Sequence, residues 1–323
     1  MTVVSILERP EIERLAAGID LVAAMEAGFV AYSQGLCVVP PVGELLLDEA
    51  KGEVHIKYGY TRGDEFYVVK IASGFFGNPK FGLPSGNGMM LLFRQATGEP
   101  AAILLDQGRL TDLRTAAAGA VAAKHLAPAR IERIGIVGTG VQARLQLEQL
   151  LAIVECRSVL VAGRNTDKLD ACRADMETHG FDVESTLDAG DLARKCQLIV
   201  TTTPSTEPLL SAADIQPGTH ITAVGSDTPD KQELDTAILA RADLVVADSI
   251  SQCRLRGEIS RALTAGSIEE DKVVELGTII ARDTLGRTAD DQITVADLTG
   301  VAVQDVQIAT AVFESHRHSG NSD

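Results

Sequence analysis

The hydrophobic positions near the start of the chain recur at helical spacing. Within residues 11–34 the steps between them are three or four residues, which predicts helix with one apolar face. Asp20 is a plausible N-cap that would divide this stretch into two helices. The apolar positions are Ile12, Leu15, Ile19, Val22, Met25 and Phe29.

Between about residues 44 and 110 the apolar period shortens to two, which indicates strands. Residues 53–60 and 65–71 alternate around a turn at 61–64, and two further apolar runs, 89–93 and 101–105, flank a turn containing Thr97 and Gly98. This pattern predicts an antiparallel meander. An alanine-rich helix over 110–127 follows, and Pro128 ends it because proline cannot continue a helix.

Beyond Pro128, apolar strands alternate with helices, which predicts a parallel sheet with right-handed crossovers. We therefore expect an α/β protein with a Rossmann-type doubly wound domain over residues 119–301. An α+β domain for substrate binding and dimerisation would comprise 1–118 with 302–323, including a helix at 308–313 and a frayed polar tail at 315–323. The predicted strands are 134–137, 158–162, 198–202, 220–224 and 244–247, and the predicted helices are 143–151 and 168–178.

Composition narrows the possible partners. The chain is 45% hydrophobic and 23% charged, which is typical of a globular protein. Its net charge of −16 argues against nucleic acid and anionic membranes, although small anionic ligands respond only to local charge. The first residues lack a signal-peptide pattern, and no apolar run reaches the roughly 18 residues of a membrane span. We expect a cytoplasmic protein.

The cysteines and histidines predict neither a disulfide framework nor a metal site. The five cysteines are an odd number, and they form no CxxC pair or close Cys/His cluster. Cys253 lies near other polar residues, but it is interpreted chiefly as a small buried residue.

A glycine-rich turn follows the predicted strand at 134–137 and opens the next helix. Gly138, Gly140 and Ala143 match G-x-G-x-x-A. In that motif the first glycine permits a tight turn, the second admits a pyrophosphate and the third small residue allows close helix packing. The alternative is a glycine turn in another kind of α/β domain. The candidate cofactor-binding residues here are Gly138, Thr139, Gly140, Val141 and Gln142.

The end of the second predicted strand bears on the choice of nucleotide. NAD sites usually place an acidic residue there, whereas this chain has Gly163, Arg164, Asn165 and Thr166 after Ala162. Arg164 and Asn165 could hold a 2′-phosphate, so NADP is favoured over NAD. The alternative is that Arg164 is a solvated surface cation.

Two further polar loops follow strands at the same predicted sheet edge, where ligands bind in such folds. Both could instead be plain turns. One contains Thr202 and Thr203, and the other contains Val224, Gly225 and Ser226. Asp227, in the second loop, could exchange a proton with a reacting amine, imine or water, or could simply stabilise an Asx turn.

Basic residues in apolar surroundings are candidates for substrate binding. Lys70 ends a buried-type strand, where it either snorkels or points into a pocket. Arg114, on the alanine-rich helix, could hold a carboxylate or form a salt bridge. Lys57, together with His55 on the same face of its strand, is a candidate residue at the rim of the site. Ser85 completes the substrate-binding candidates.

Together these segments resemble the ornithine cyclodeaminase/mu-crystallin family over nearly the whole chain. Leu-Arg-Thr-Ala-Ala-Ala and Lys-Gln-Glu-Leu are quite specific to that family. The matching segments are Lys70 with Ser73-Gly74-Phe75, residues 110–118, 136–143, 224–234 and 297–305. The last segment adds Thr299 to the candidate cofactor-binding residues.

The resemblance implies a homodimer that binds NAD(H) or NADP(H) and exchanges a hydride at an amino-bearing carbon. It implies that Lys70 contacts substrate and assists proton transfer, that Arg114 holds the α-carboxylate, and that Asp227 handles protons at the reacting nitrogen or at water. The N-terminal domain and the C-terminal helix would form the dimer contact.

The sequence departs from the ornithine-specific pattern. Gly43 or Glu44 stands where many members have an arginine, and Lys57 stands near the position of a glutamate in ornithine cyclodeaminases. We therefore expect an imine reductase or amino-acid dehydrogenase for a small amino or imino acid, with Lys57 meeting a second acidic group. The alternatives are an ammonia-lyase with catalytic NAD+ and a non-catalytic NADPH- and ligand-binding protein.

Overall fold

A computed structural model describes residues 4–75, 77–282 and 285–319. The chain divides into two compact units: unit 1 is Met1–Arg114 with Val301–Asp323, and unit 2 is Thr115–Gly300. The predicted boundaries at 118/119 and 301/302 lie four residues and one residue from these divisions.

The N-terminal part of unit 1 contains two short helices, as the pattern around Asp20 predicts. The Asp20 side chain accepts a hydrogen bond from Ala23 N at 3.0 Å, so it caps the second helix and separates it from the first. These helices are α1 (Arg9–Ala16) and α2 (Leu21–Ser33).

Seven strands of unit 1, within the described residues, form one sheet. The strands from residue 52 to residue 105 form the predicted antiparallel meander. The sequence pattern missed the strand at Ser5–Glu8, which pairs in parallel with the last strand of the meander. The order is β1-β7-β6-β5-β4-β2, and β3 also pairs with β4. The strands are β1 (Ser5–Glu8), β2 (Cys37–Val38), β3 (Gly43–Leu47), β4 (Gly52–Thr61), β5 (Phe66–Phe75), β6 (Gly86–Arg94) and β7 (Pro100–Leu105).

The two faces of this sheet differ in burial because side chains alternate along a strand. On β5, Phe66, Val68 and Lys70 are buried, whereas the intervening residues are partly exposed. The buried face packs against α11 (Ala302–Ser319), which contacts β4, β5 and β6. That helix extends beyond the predicted 308–313. Residues 315–319 are helical and not frayed, and 320–323 lie outside the described residues.

The predicted alanine-rich helix is α3 (Arg109–Leu126). Asp106 precedes it and accepts a 2.7 Å hydrogen bond from Leu110 N, which satisfies one of the free donors of the first turn. The helix ends at Leu126, two residues before Pro128, as expected because proline cannot continue a helix.

Unit 2 contains the predicted parallel sheet, with eight strands among its described residues. Its order is β10-β9-β8-β11-β12-β15-β13-β14, and helices cover an apolar core centred on the middle strands. The strands are β8 (Ile134–Val137), β9 (Ser158–Ala162), β10 (Asp182–Thr186), β11 (Leu198–Thr201), β12 (His220–Ala223), β13 (Leu244–Ala247), β14 (Val273–Glu275) and β15 (Thr294–Asp297).

The helices of unit 2 include the two that the sequence predicts, each beginning two residues earlier than expected. The pattern missed the shorter helices and the strands β10, β14 and β15. The helices are α4 (Val141–Leu150), α5 (Thr166–Thr178), α6 (Ala189–Lys195), α7 (Thr236–Arg241), α8 (Ile250–Cys253), α9 (Gly257–Thr264) and α10 (Leu276–Ala281).

In the part of the chain that the structure describes, no single helix has the length and hydropathy needed to cross a bilayer. Only α1 and α2 meet that test as a pair, and they are bent by 86°. The same residues contain no group of three or more histidine, cysteine or acidic side chains arranged to hold a metal ion.

Candidate active site

Two lysines lie in the otherwise apolar face of the unit 1 sheet. Lys57 on β4 and Lys70 on β5 are register partners, so their side chains start from adjacent positions on the same face. Lys70 is 2% exposed and Lys57 is 6% exposed. Lys70 therefore does not snorkel to solvent, and Lys57, predicted at the rim of the site, is also buried in unit 1.

One carboxylate, Asp305, balances part of this charge. Its Oδ1 accepts hydrogen bonds from Lys70 Nζ at 2.9 Å and from Arg114 Nε at 3.1 Å, while Oδ2 lies 2.8 Å from Lys70 Nζ. Arg114 also donates to Gln304 Oε1 at 2.7 Å. The sheet, α3 and α11 thus bring these side chains together in the interior of unit 1. We call Lys57, Lys70, Arg114 and Asp305 the basic cluster.

Burial and neighbouring charges shift the pKa values of two residues of the basic cluster, Lys70 and Asp305. Burial, with the nearby charge of Arg114 and Lys57, lowers the pKa of Lys70 to about 7 even though Asp305 opposes the shift. Burial acts to raise the pKa of Asp305, but the charges of Lys70, Arg114 and Lys57 outweigh it and the pKa falls below its ordinary value. Lys70 can therefore exchange a proton near neutral pH, and Asp305 stays ionised.

A second buried acid, Asp106, lies within the electrostatic reach of Lys70. Burial raises the pKa of Asp106, although hydrogen bonds from Leu110 N and Gly108 N and the charge of Lys70 favour its ionised form. Two buried carboxylates, Asp305 and Asp106, therefore lie near the cationic side chains in this part of unit 1.

Sequence reasoning did not single out Asp305, Gln304 or Asp106. Asp305 and Gln304 end the segment 297–305 that resembles the family, and this was the signal in the sequence that could have identified them. In the structure both side chains are buried, and buried polar groups in proteins are almost always paired. Asp106 carries the local signal of a helix N-terminus three residues before Arg109.

The remaining unit 1 candidates have more modest contacts. Ser85 is half-buried, and its carbonyl accepts a hydrogen bond from Phe75 N at 2.7 Å at the end of the β5–β6 ladder. His55 Nε2 lies 3.5 Å from Glu44 Oε1 and 4.0 Å from Glu53 Oε1. Glu44 and His55 therefore lie side by side on the paired strands β3 and β4.

In unit 2 the glycine-rich turn has the backbone geometry that a pyrophosphate requires. Gly138 has φ 127°, and a Cβ there would lie 2.4 Å from Thr202 Oγ1, so only glycine fits. Gly140 is the N-cap of α4 without a side-chain cap, and a Cβ on it would face open space. The first donors of α4 thus meet an open approach, which fits an anion.

The loop between these glycines is held by an arginine of α4. Arg144 Nη1 donates to the carbonyls of Thr139 at 2.7 Å and Gly140 at 3.1 Å, and Nε pairs with Asp175 at 2.6 Å. Val141 is exposed and Gln142 is half-buried on the same turn. The structure brings together all five candidate residues of this turn.

At the end of β9 the two nucleotide-selecting candidates differ. Arg164 is exposed. Asn165 is the N-cap of α5, and its Oδ1 accepts from Lys168 N at 2.9 Å. The Asn165 oxygen is thus occupied by the helix cap, whereas its amide group is of the type that donates to a phosphate.

The polar loops after β11 and β12 are internally hydrogen-bonded. Thr202 Oγ1 donates to Val137 O at 3.2 Å, and Ser226 Oγ donates to Lys231 O at 2.9 Å. Val224 N donates to Thr201 O at 3.0 Å. Thr203 and Gly225 share a single buried carboxylate, that of Glu233. Hydrogen bonds within unit 2 therefore hold both loops in place.

Thr299 and Asp227 complete the candidates of unit 2. Thr299 Oγ1 donates to Asp248 at 3.0 Å and accepts from Gln252 Nε2 at 2.8 Å, and the residue is buried. The Asp227 side chain is 45% exposed, and its Oδ1 accepts from Lys231 Nζ at 2.6 Å. Asp227 therefore has a cationic partner on its own loop.

A model of the ornithine cyclodeaminase/mu-crystallin family matches residues 2–320. An uncharacterized cyclodeaminase of Sinorhizobium fredii is 43% identical over 97% of this chain and 96% of its own length. The structure of an archaeal alanine dehydrogenase dimer with bound NAD is 33% identical, with a TM-score of 0.89 and coverage of 98% and 97%. A Thermococcus litoralis Δ1-pyrroline-2-carboxylate reductase, in complex with NADH and L-proline, is 28% identical, with a TM-score of 0.91 and coverage of 98% of both chains.

Proposed function

Because the chain belongs to the ornithine cyclodeaminase/mu-crystallin family, we propose that it is an NAD(P)-dependent oxidoreductase acting at the C–N bond of a small amino or imino acid. One observation carries the proposal. Buried Lys70 and Arg114 converge on the Asp305 carboxylate in unit 1, and in unit 2 a glycine turn leads into the uncapped N-terminus of α4.

Four predictions from the sequence are confirmed at the level of class. They are the family, the α/β fold with a Rossmann-type sheet, the use of a nicotinamide dinucleotide, and enzymatic oxidoreduction of amino or imino acids. The particular substrate and the roles of individual residues are part of the proposal.

The basic cluster would bind the substrate through its carboxylate. Arg114 offers a planar, permanently charged group that suits bidentate carboxylate binding, and Gln304 and Asp305 hold its orientation. Lys57 supplies a second buried cation for a further acidic group. Lys70, with a pKa of about 7, would move a proton at the substrate. Ser85 is proposed as an additional polar contact.

The residues that would hold the cofactor lie at the carboxyl edge of the unit 2 sheet. The glycine turn would bind the pyrophosphate, and the two polar loops with Thr299 would contact the rest of the dinucleotide. When bound, the nicotinamide supplies or accepts a hydride at the amino-bearing carbon. Arg164, with the amide of Asn165, would favour NADP over NAD, because residues 163–166, directly after β9, include no acidic side chain to bind the ribose hydroxyls.

Asp227 is proposed to exchange protons at the substrate nitrogen or with water. Its hydrogen bond from Lys231 keeps the carboxylate oriented on the loop, and its partial exposure leaves it accessible. A carboxylate in this role accepts a proton in one direction of the reaction and returns it in the other.

We also propose a homodimer formed through the outer face of the unit 1 sheet. Leu45, Ile56 and Tyr58 share that face by register, and they are 57%, 38% and 40% exposed in the isolated chain. A contiguous apolar sheet face of this kind usually marks an interface. The five unpaired cysteines favour a reducing compartment, consistent with the cytoplasm.

A direct assay tests the proposal. Purified protein is mixed with NADPH or NADH and a panel of small 2-oxo acids with ammonium, cyclic imino acids and dicarboxylic imino acids, and absorbance of the reduced cofactor is followed. Oxidation with at least one imino acid is expected. Release of ammonia from a diamino acid without net change in NADH would instead identify a lyase, and tight NADPH binding without turnover would identify a ligand carrier.

A further inference from the structure

We propose that Glu233 is a positioning residue for the dinucleotide: its carboxylate locks together the two loops that would form the cofactor wall. We call residues 202–204 the threonine loop and residues 224–229 the serine loop. The inference rests on the proposed function, because it takes these loops to contact the cofactor. Glu233 itself would not touch the nucleotide.

The Glu233 carboxylate accepts four hydrogen bonds from the ends of two adjacent strands. Oε1 accepts from Thr203 N at 2.6 Å and from Thr203 Oγ1 at 2.7 Å. Oε2 accepts from Thr201 Oγ1 at 2.7 Å and from Gly225 N at 2.9 Å. One side chain therefore bonds to both the β11 end and the β12 end of the wall.

The two loops are also in direct contact, so their relative position depends on this link. A Cβ on Gly225 would lie 2.2 Å from Thr203 O, 2.4 Å from Thr203 N and 2.7 Å from Glu233 Oε2. No side chain fits at that point, and the serine loop approaches the threonine loop through bare backbone. The carboxylate fills the position where both backbones present donors.

Burial raises the pKa of the Glu233 carboxyl to about 7, whereas the four hydrogen bonds that it accepts favour its ionised form. Glu233 is completely buried, and four donors point at its two oxygens. A carboxylate can accept all four, whereas a glutamine would turn one amide N–H2 group toward two donors. Charge-assisted hydrogen bonds of this kind are short and roughly twice as strong as neutral ones.

The backbone of Glu233 is itself held by a second buried acid. Glu258 on α9 accepts from Glu233 N at 2.7 Å and from Leu234 N at 3.2 Å, and the Glu233 carbonyl accepts from Leu209 N at 2.7 Å. Such support around a side chain fixes its orientation. Glu233 is the third residue of the Lys-Gln-Glu-Leu segment, so these hydrogen bonds give that segment a structural role.

The test compares nucleotide binding by the wild-type protein and a Glu233→Gln variant. NADH and NADPH are titrated by calorimetry and by the fluorescence of the reduced nicotinamide. We expect the dissociation constant to rise about 10- to 100-fold, the effect of losing one or two hydrogen bonds to a charged group. At saturating cofactor, the KM for the amino or imino acid should stay within about twofold of the wild-type value.

Three further variants separate positioning from folding. Thr201→Val removes the buried hydroxyl that donates to Glu233 Oε2 at 2.7 Å and should weaken nucleotide binding, whereas Thr201→Ser retains the hydroxyl and should restore it. Asp243→Asn is the matched control, because Asp243 accepts a backbone hydrogen bond from Ile293 N at the opposite, amino edge of the sheet. It should alter thermal stability without altering nucleotide affinity.

The outcomes distinguish the two proposals. A wild-type protein that binds neither dinucleotide overturns the proposed function. A wild-type protein that binds one of them, with Glu233→Gln or Thr201→Val binding equally tightly, overturns the positioning role alone. If Glu233→Gln does not fold, the Thr201→Val and Thr201→Ser pair decides the question.

Discussion

At the scale of single residues, the basic cluster shows how burial converts ordinary side chains into reactive ones. Lys70 and Arg114 would be common surface residues elsewhere, but here they share Asp305 in the interior of unit 1. The sequence predicted both cations as site residues without their shared partner. A lysine whose pKa is lowered to about 7 can donate or accept a proton under ordinary conditions.

The lowered pKa of Lys70 predicts how kcat/KM depends on pH. Above about pH 7 the side chain becomes neutral, so in imine reduction, where the ammonium form would donate the proton, kcat/KM should fall as pH rises through that value. A Lys70→Arg variant should lose this transition, because arginine stays protonated, and should have lower activity. The profile is measured from about pH 5.5 to 9, with the exposed Lys80→Arg as control. An unchanged transition in Lys70→Arg would contradict the assignment.

Removing the shared carboxylate should be costly. An Asp305→Asn variant leaves buried cations without their counterion, which should destabilise the fold by about 3–5 kcal/mol and weaken substrate binding. Urea unfolding measures the first effect and substrate KM the second. The exposed Asp182→Asn change should shift stability by no more than about 0.5 kcal/mol. Equal stability of the two variants would show that Asp305 does not balance the cluster.

At the scale of elements, the glycine turn between β8 and α4 depends on Gly138, which has a positive φ and lies close to the Thr202 side chain. Gly138→Ala should abolish dinucleotide binding, because the new Cβ would meet Thr202 Oγ1 at 2.4 Å and displace the turn. Gly180→Ala is a matched control, since Gly180 also has positive φ but a Cβ there meets nothing within 4 Å. Calorimetric titration with NADH and NADPH checks both. Retained binding in Gly138→Ala would refute the assignment of this turn.

The loop after β9 makes a separate prediction about cofactor preference. If Arg164 binds a 2′-phosphate, Arg164→Ala should raise the KM for NADPH about tenfold and leave that for NADH nearly unchanged. Steady-state kinetics with both cofactors measure the ratio. Arg173→Ala, on the exposed surface of α5, serves as a control for loss of a positive charge nearby. An equal effect on both cofactors would assign Arg164 to another role.

At the scale of the whole molecule, the outer face of the unit 1 sheet makes a prediction about assembly. A variant with Ile56→Lys and Tyr58→Lys should be monomeric, because two charges on the proposed interface would have to be desolvated. Light scattering after size exclusion measures the mass. Leu187→Lys, at a 64% exposed leucine of unit 2, should leave the dimer intact because it adds no charge to the unit 1 sheet. A wild-type monomer would remove the dimer proposal.

The net charge of −16 is also a property of the whole molecule, and it differs from the local charge within unit 1. Most acidic residues are exposed or half-buried, whereas three cations are buried together in unit 1. The overall field therefore opposes polyanions, whereas the proposed binding of a small anion depends on the local charges of the cluster. Both statements hold because electrostatic interactions between exposed charges are screened over about 10 Å.

Much of the fold follows from local sequence pattern. The bounds of β9 and β13 agree with the pattern residue for residue, and the Asp20 cap and the end of α3 near Pro128 were predicted from single residues. The missed strands show the limit. β10 is an edge strand with mostly exposed side chains, so it lacks an apolar run. β15 is fully buried yet begins with Thr294 and ends with Asp297, so its pattern is not purely apolar.

The sequence by itself determined the periodic elements, the glycine turn and the identity of Lys70 and Arg114 as candidates, because those depend on neighbours within a few residues. Only the tertiary structure decided which charges meet. Asp305 lies 235 residues from Lys70 and 191 from Arg114, and Glu233 lies 32 from Thr201. Hydrogen bonds and pKa shifts depend on spatial proximity and exclusion of water, and neither is encoded in a local period.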